Sequence, residues 1–156
     1  MSNQTNMSLK LELISWVFTL VLAVAVLFPI YTGITNYPFW WTNILFIVTF
    51  ITLTRYVFLL QHTFLANRQK LKVVLFFLSI PIVFFLISQV HYFQSFLDEQ
   101  GVGSFLGNMT LDNRNSMADF VKKEMMLFGI GSVVIAIIFP FRLLLSVWRF
   151  RNRGKA

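Results

Sequence analysis

Two arginines stand inside long apolar stretches of this sequence, and they are the residues best suited to chemistry there. Arg55 lies near the middle of one stretch and Arg142 lies within the last. An arginine inside a membrane costs about 3 kcal/mol and is usually paired or faces a cavity. A helix turns by about 100° per residue, which places Thr52 and His62 on the same face as Arg55. Glu12 could form an ion pair with either arginine. These five residues form the candidate polar site.

Three interpretations of this site are open at the level of sequence. The arginines could line a cavity in the cytoplasmic half of the membrane and bind an anionic group or a lipid headgroup. They could instead contact another subunit. The third interpretation is structural: their long side chains reach the nearby membrane surface. For Arg142 the third interpretation is favoured by Arg149 and Arg151, which follow it closely.

The other residues offer little chemistry. The chain has no cysteine, which excludes thiol exchange, iron–sulfur clusters and S-palmitoylation. His62 and His91 are expected at opposite membrane surfaces, too far apart to share a metal ion or a haem. No pairing of a nucleophile with a base is visible. The sequence therefore predicts no catalytic residue, no cofactor and no metal site, and we expect that the protein is not an enzyme.

Four apolar stretches must position these residues. They cover 11–34, 39–64, 71–96 and 125–148, and each reaches the roughly 20 residues that a helix needs to cross a bilayer. Hydrophobic residues make up 57% of the chain and charged residues only 12%, compared with about 25% charged residues in ordinary soluble domains. The sequence predicts a single domain over 1–156, an all-α bundle of four membrane-spanning helices.

The first stretch has an alternative interpretation as a cleaved signal peptide. Ala23 and Ala25 fit the small-residue pattern of a cleavage site. However, only one cation, Lys10, precedes the stretch, it lies beside Glu12, and the apolar residues continue to Ile30. These features favour a retained membrane-spanning helix.

Charge is distributed unevenly between the two ends of the predicted helices. The connection between the second and third stretches and the C-terminal tail are basic, whereas the longer connection at 97–124 is net acidic. Because basic flanks stay in the cytoplasm, we expect both termini to be cytoplasmic, in a bacterial inner membrane. The Trp and Tyr residues near the predicted surfaces agree with this orientation. Topology thus accounts for the net charge of +7, and we expect no nucleic-acid binding.

Small residues recur at four-residue spacing on two of the predicted helices. Ser15, Thr19 and Ala23 form one row, and Ser132 and Ala136 belong to another. Such rows let helix backbones approach closely. The contact could lie within the bundle or against another subunit.

The connection at 97–124 mixes apolar side chains with charges and three glycines. This composition is typical of a segment that lies on the membrane surface or of a docking surface. Near its end, Ser116 and Asp119 fit a helix-capping pair. We therefore expect a helix that begins near Met117, projects about two turns from the membrane and continues into the fourth span.

The leading functional hypothesis is a non-catalytic accessory subunit of a larger membrane assembly, such as a secretion, transport or ion-driven complex. A small chain with small-residue rows, buried arginines and no catalytic residues favours it. The expected partners are other membrane-protein subunits, with anionic lipids at the basic face. The alternative is a small transporter or lipid-binding protein with a cationic cavity around Arg55 and Arg142.

Overall fold

A computed structural model describes residues 2–66, 68–107 and 109–153, and the side chains of 10–61, 63–66, 68–107 and 109–152. Helix α1 covers Ser2–Gly33, α2 Trp40–Leu59, α3 Gln69–Glu99 and α4 Leu111–Arg153, and short 3₁₀ turns cover Leu60–His62 and Val102–Phe105. All four α-helices are long and apolar enough to cross a membrane. The described residues contain no strand. The prediction of an all-α chain with four such helices is therefore confirmed.

The outer surface of the bundle is apolar. Phe18, Phe84 and Phe141, from three different helices, are 59%, 69% and 62% exposed. On a protein surrounded by water so extensive an apolar surface would be unusual, whereas lipid tails solvate it without cost. Close packing and hydrogen bonds inside the bundle then hold the helices together, because burial of apolar surface gives no driving force in lipid.

Helix α4 is the centre of the bundle. It packs along both α2 and α3, while α1 packs mainly against α2 and touches α4 only slightly. Two glycines of α4 permit the close approach of α2. A Cβ atom on Gly131 would lie 2.8 Å from the ring of Phe50, and one on Gly129 would lie 3.0 Å from the ring of Phe46.

Buried apolar side chains form two clusters. The larger includes Ile30, Phe46 and Leu86 from α1, α2 and α3, and the smaller includes Val57 and Leu143. The smaller cluster lies at the basic end of the bundle, which we define by the α2–α3 connection at 60–68 and the last turns of α4. The opposite, loop end is defined by the turn at 34–39 and the α3–α4 connection at 100–110.

The small-residue rows face the interior of the bundle. Thr19 and Ala23 of α1 are 4% and 5% exposed, and Ser132 and Ala136 of α4 are 0% and 1% exposed, while Ser15 is half-buried. The Thr19 and Ser132 hydroxyls donate to carbonyls of the preceding turn of their own helix, at 2.9 and 2.8 Å. These rows therefore contribute close packing, with their hydroxyls satisfied locally.

Helix α2 is shorter than the apolar stretch that predicts it. It ends at Leu59, and a 3₁₀ turn follows. Thr63 closes this turn, because its backbone N–H and its hydroxyl both donate to the Leu60 carbonyl, at 3.3 and 2.8 Å. Leu60, and Leu65 just beyond the stretch, are buried, so these apolar residues cover the basic end instead of lengthening the helix.

The α3–α4 connection is also shorter than the predicted loop at 97–124. Helix α3 continues to Glu99, and α4 begins at Leu111, before the predicted start at Met117. Ser116 therefore lies inside the helix and not at its start. The Arg114 guanidinium donates to the Gly103 carbonyl at 2.8 Å, and this contact holds the additional turns of α4 against the connection.

Candidate functional site

Glu12 joins Arg55 and not Arg142. The Arg55 guanidinium and the Glu12 carboxylate form an ion pair, with each side chain 15% exposed. The phenol of Tyr56 donates a second hydrogen bond to the same carboxylate. The positive charge of Arg55 is therefore balanced within the chain, by a residue of the neighbouring helix, and no net charge is left for a ligand.

Thr52 and His62 are the two further members of the predicted site. The Thr52 hydroxyl is buried and has no hydrogen-bond partner among the described residues. The side chain of His62 lies outside the described residues, and its backbone belongs to the 3₁₀ turn after α2. Of the predicted set, the structure thus brings Glu12 and Arg55 together and places Arg142 in a different environment.

Arg142 binds the end of α2. Its Nε donates to the Val57 carbonyl at 2.8 Å. Val57 belongs to the last turn of α2, where carbonyls lack partners within their own helix. A positive charge is also favourable at this end of the helix dipole. Arg142 therefore ties α4 to α2 and brings its guanidinium to the basic end.

Lys72 lies at the same end, and only 1% of its surface is exposed. Its Nζ donates to the Ala66 carbonyl at 2.7 Å, to the Ser146 hydroxyl at 2.9 Å and to the Gln69 side chain at 3.4 Å. These neutral oxygens satisfy the three N–H donors of the ammonium group. Its charge is not balanced, because in the part of the chain that the structure describes no carboxylate forms an ion pair with Lys72.

A cavity of about 300 Å³ opens beside Lys72. Its polar lining consists of Gln61, Gln69, Lys72, Arg142, Ser146 and Arg149, and its apolar lining of Leu60, Ala66 and Phe150. Three of these residues are cations, and none of the lining residues within the described chain is an acid. The basic-end cavity is therefore electropositive.

A second polar cluster lies at the loop end. The side-chain amide of Asn43 donates to Glu124 Oε2 at 2.7 Å and to the Tyr37 phenol oxygen at 3.2 Å. Asn43 is completely buried, and Tyr37 and Glu124 are nearly so. Burial raises the pKa of the Tyr37 phenol well above its usual range, so Tyr37 is neutral. Asn43 Oδ1 and Glu124 Oε1 have no hydrogen-bond partner within 2–66, 68–107 and 109–153.

Lys72 and Glu124 are the buried charges that sequence reasoning missed. Lys72 stands at the start of the third apolar stretch, beside the basic connection, and there it counts as a flanking charge, whereas Glu124 belongs to the acidic connection. The signal that identifies them is helical spacing: Lys72 shares a face with Ser79, and Glu124 shares one with Val121 and Phe128. The signal is weak because both charges lie close to the ends of the predicted spans, where exposed charges are common.

Comparisons with known proteins add no assignment. The chain matches no protein-family model, no curated protein and no solved structure. Within the described residues, no group of three or more His, Asp or Glu side chains is arranged to hold a metal ion. The function has to be inferred from the basic-end cavity and the loop-end cluster themselves.

Proposed function

We propose that this protein is a non-catalytic membrane protein that binds a phosphate-bearing anion, either a lipid headgroup or a soluble phosphate compound, in the basic-end cavity. One observation carries the proposal: Lys72 is buried beside a cavity lined by Arg142 and Arg149 and bonds to neutral oxygens. A buried charge is costly unless an opposite charge accompanies it. An anion in the cavity supplies that charge.

The cavity also offers the donors that a phosphate group needs. Among the described residues, Arg142 uses only its Nε in a hydrogen bond, which leaves the two terminal nitrogens of the guanidinium for a ligand. A guanidinium binds phosphate through two parallel hydrogen bonds. Arg149 supplies a second guanidinium to the cavity. The volume of about 300 Å³ lies at the lower limit of small-ligand sites, roughly 300–1,000 Å³, and suits a headgroup better than a large solute.

The proposal puts the cavity at the cytoplasmic surface of a bacterial inner membrane. The distribution of basic residues supports this orientation, because Arg68, Lys70, Arg149 and Arg151 belong to the basic end and such residues stay in the cytoplasm. Anionic lipids of the cytoplasmic leaflet attract basic segments.

Lipid binding tests the proposal on the purified full chain. Native mass spectrometry counts retained phosphatidylglycerol, and calorimetry measures binding of inorganic phosphate separately. We expect Arg142→Gln/Arg149→Gln to weaken binding of whichever ligand the wild type takes. The loss should be about tenfold or more for each arginine, since a hydrogen bond to a charged group contributes roughly 1.5–3 kcal/mol. Arg151→Gln, which is exposed and does not line the cavity, is the matched control.

Lys72→Met separates binding from folding. An apolar side chain of similar length removes the charge that requires an anion. The removal of a buried charge without a counter-charge offsets the loss of its hydrogen bonds to Ala66 and Ser146. We therefore expect the melting temperature to hold or rise while retention of the ligand falls. The exposed Lys70→Met is the control. Unchanged ligand retention in both Lys72→Met and the double arginine variant contradicts the proposal.

The second candidate function is an accessory subunit of a larger membrane assembly. A groove on the outer side of α3 and α4 favours it, because His91 and Gln94 lie there among apolar side chains. Polar side chains that face lipid are unfavourable. A helix of another subunit, packed in this groove, would give them hydrogen-bond partners. Affinity purification from native membranes tests this candidate. Stoichiometric partners that are lost in Gln94→Leu support it, and a monodisperse monomer without partners contradicts it.

A further inference from the structure

We infer that Asn43 and Glu124 form a binding site for one monovalent cation, a proton or a sodium ion, held between their two side chains. The charge imbalance here is opposite to that at the basic end. Glu124 is 6% exposed, and within the described chain it forms no ion pair. A buried carboxylate without a counter-charge is costly, and a bound cation removes that cost.

Two free oxygens indicate where the cation binds. Asn43 Nδ2 donates to Glu124 Oε2 at 2.7 Å, so the amide and the carboxyl group meet. The other oxygen of each group, Asn43 Oδ1 and Glu124 Oε1, is buried and has no hydrogen-bond partner among the described residues. A proton carried by Oε1 and donated to Oδ1 would satisfy both atoms, because it closes a cyclic pair of an acid and an amide. A hard metal ion would accept both oxygens as ligands.

The charged groups around the pair do not supply the missing positive charge. Tyr37, from the turn between α1 and α2, is the titratable group that contacts Asn43. On α4, Lys122 and Lys123 are exposed, and Lys123 binds Asp119 at 3.0 Å. From α3, Asp98 lines a separate surface groove together with Lys122. The positive charge that the buried carboxylate requires therefore has to come from a bound cation.

Infrared spectroscopy of the full chain in lipid nanodiscs distinguishes a neutral carboxyl group from an ionised one. The chain has only three glutamates, Glu12, Glu99 and Glu124, so labelling with ¹³C-glutamate isolates their bands. Subtraction of the Glu124→Gln spectrum then isolates Glu124. Glutamine keeps the shape of the side chain and can still bond to Asn43, so this variant is expected to fold. The exposed Glu99→Gln is the control.

Two titrations identify the cation. If the cation is a proton, the wild type shows the band of a neutral carboxylic acid at neutral pH with choline as the only other cation. This band disappears at alkaline pH and is missing in Glu124→Gln. If the cation is sodium, the melting temperature rises when sodium replaces choline at constant ionic strength. This rise occurs in the wild type and in Glu99→Gln but not in Glu124→Gln. An ionised Glu124 at neutral pH, together with a melting temperature that does not respond to sodium, overturns the inference.

Discussion

Glu12 and Arg55 compensate each other's charge inside the bundle. Removal of one partner leaves an uncompensated charge, so we expect Glu12→Gln and Arg55→Met each to lower the free energy of unfolding by about 3 kcal/mol. The double variant should cost less than the sum of the two, by about 1–3 kcal/mol. Unfolding in detergent micelles measures these values. Lys10→Gln, at an exposed cation close to Glu12, is the control, and strictly additive costs would contradict the pairing.

The choice of Arg55 over Arg142 as the partner of Glu12 could not be derived from sequence. Spacing along one helix predicts which of its residues share a face, such as Thr52 and Arg55, but it does not say what that face contacts. The rotation of α1 about its own axis relative to α2 and α4 arises from side-chain packing, which spacing does not encode. For the same reason the sequence named Arg142 as a candidate without its cavity neighbour Lys72.

The contact between α2 and α4 depends on glycine. Because a Cβ atom on Gly131 would lie 2.8 Å from the ring of Phe50, Gly131→Leu should push α2 away from α4. We expect a loss of about 1–3 kcal/mol in the free energy of unfolding, as in other overpacked cores. Leucine is a good helix former, so helix propensity does not explain such a loss. Val134→Leu, on the exposed face of the same helix, adds volume without this contact; equal melting temperatures for the two variants would rule out the tight packing.

The existence of the helices was predictable, and their ends were not. Hydropathy reports which segments lie in the membrane, but a helix end depends on where backbone groups find other partners. In α2 the bonds from Thr63 to the Leu60 carbonyl close a 3₁₀ turn within an apolar segment. In α4 the helix extends into a polar segment, where Arg114 bonds to the Gly103 carbonyl. Both partners depend on the tertiary fold.

The orientation of the whole molecule can be measured directly because the chain has no cysteine. Arg68→Cys, Ser104→Cys and Arg151→Cys each place one thiol at an exposed position. An impermeant maleimide added to intact cells should label only Ser104→Cys, since basic segments stay in the cytoplasm. The other two variants should react only after the membrane is opened. Solubilised protein, in which all three react, is the control, and the reverse labelling pattern would contradict the orientation.

At the scale of the whole molecule the bilayer leaves few alternatives. Long apolar segments have to form helices, because every backbone polar group needs an internal partner in lipid. This constraint made four helices predictable from composition and hydropathy. The arrangement of the helices was not predictable in this way: α4 lies between α2 and α3, and α1 lies at the periphery, an order that hydropathy does not encode.

The buried polar groups also bear on how the chain is made. Lys72 and Asn43 both have partners near in sequence and one far away: Lys72 binds Ala66, Gln69 and the distant Ser146, and Asn43 binds Tyr37 and the distant Glu124. Since synthesis starts at the N-terminus, the near partners are present as soon as each helix is made. The distant partners arrive only with α4. During synthesis, Asn43 of α2 and Lys72 of α3 therefore lack their hydrogen bonds to α4 until the last helix has been made.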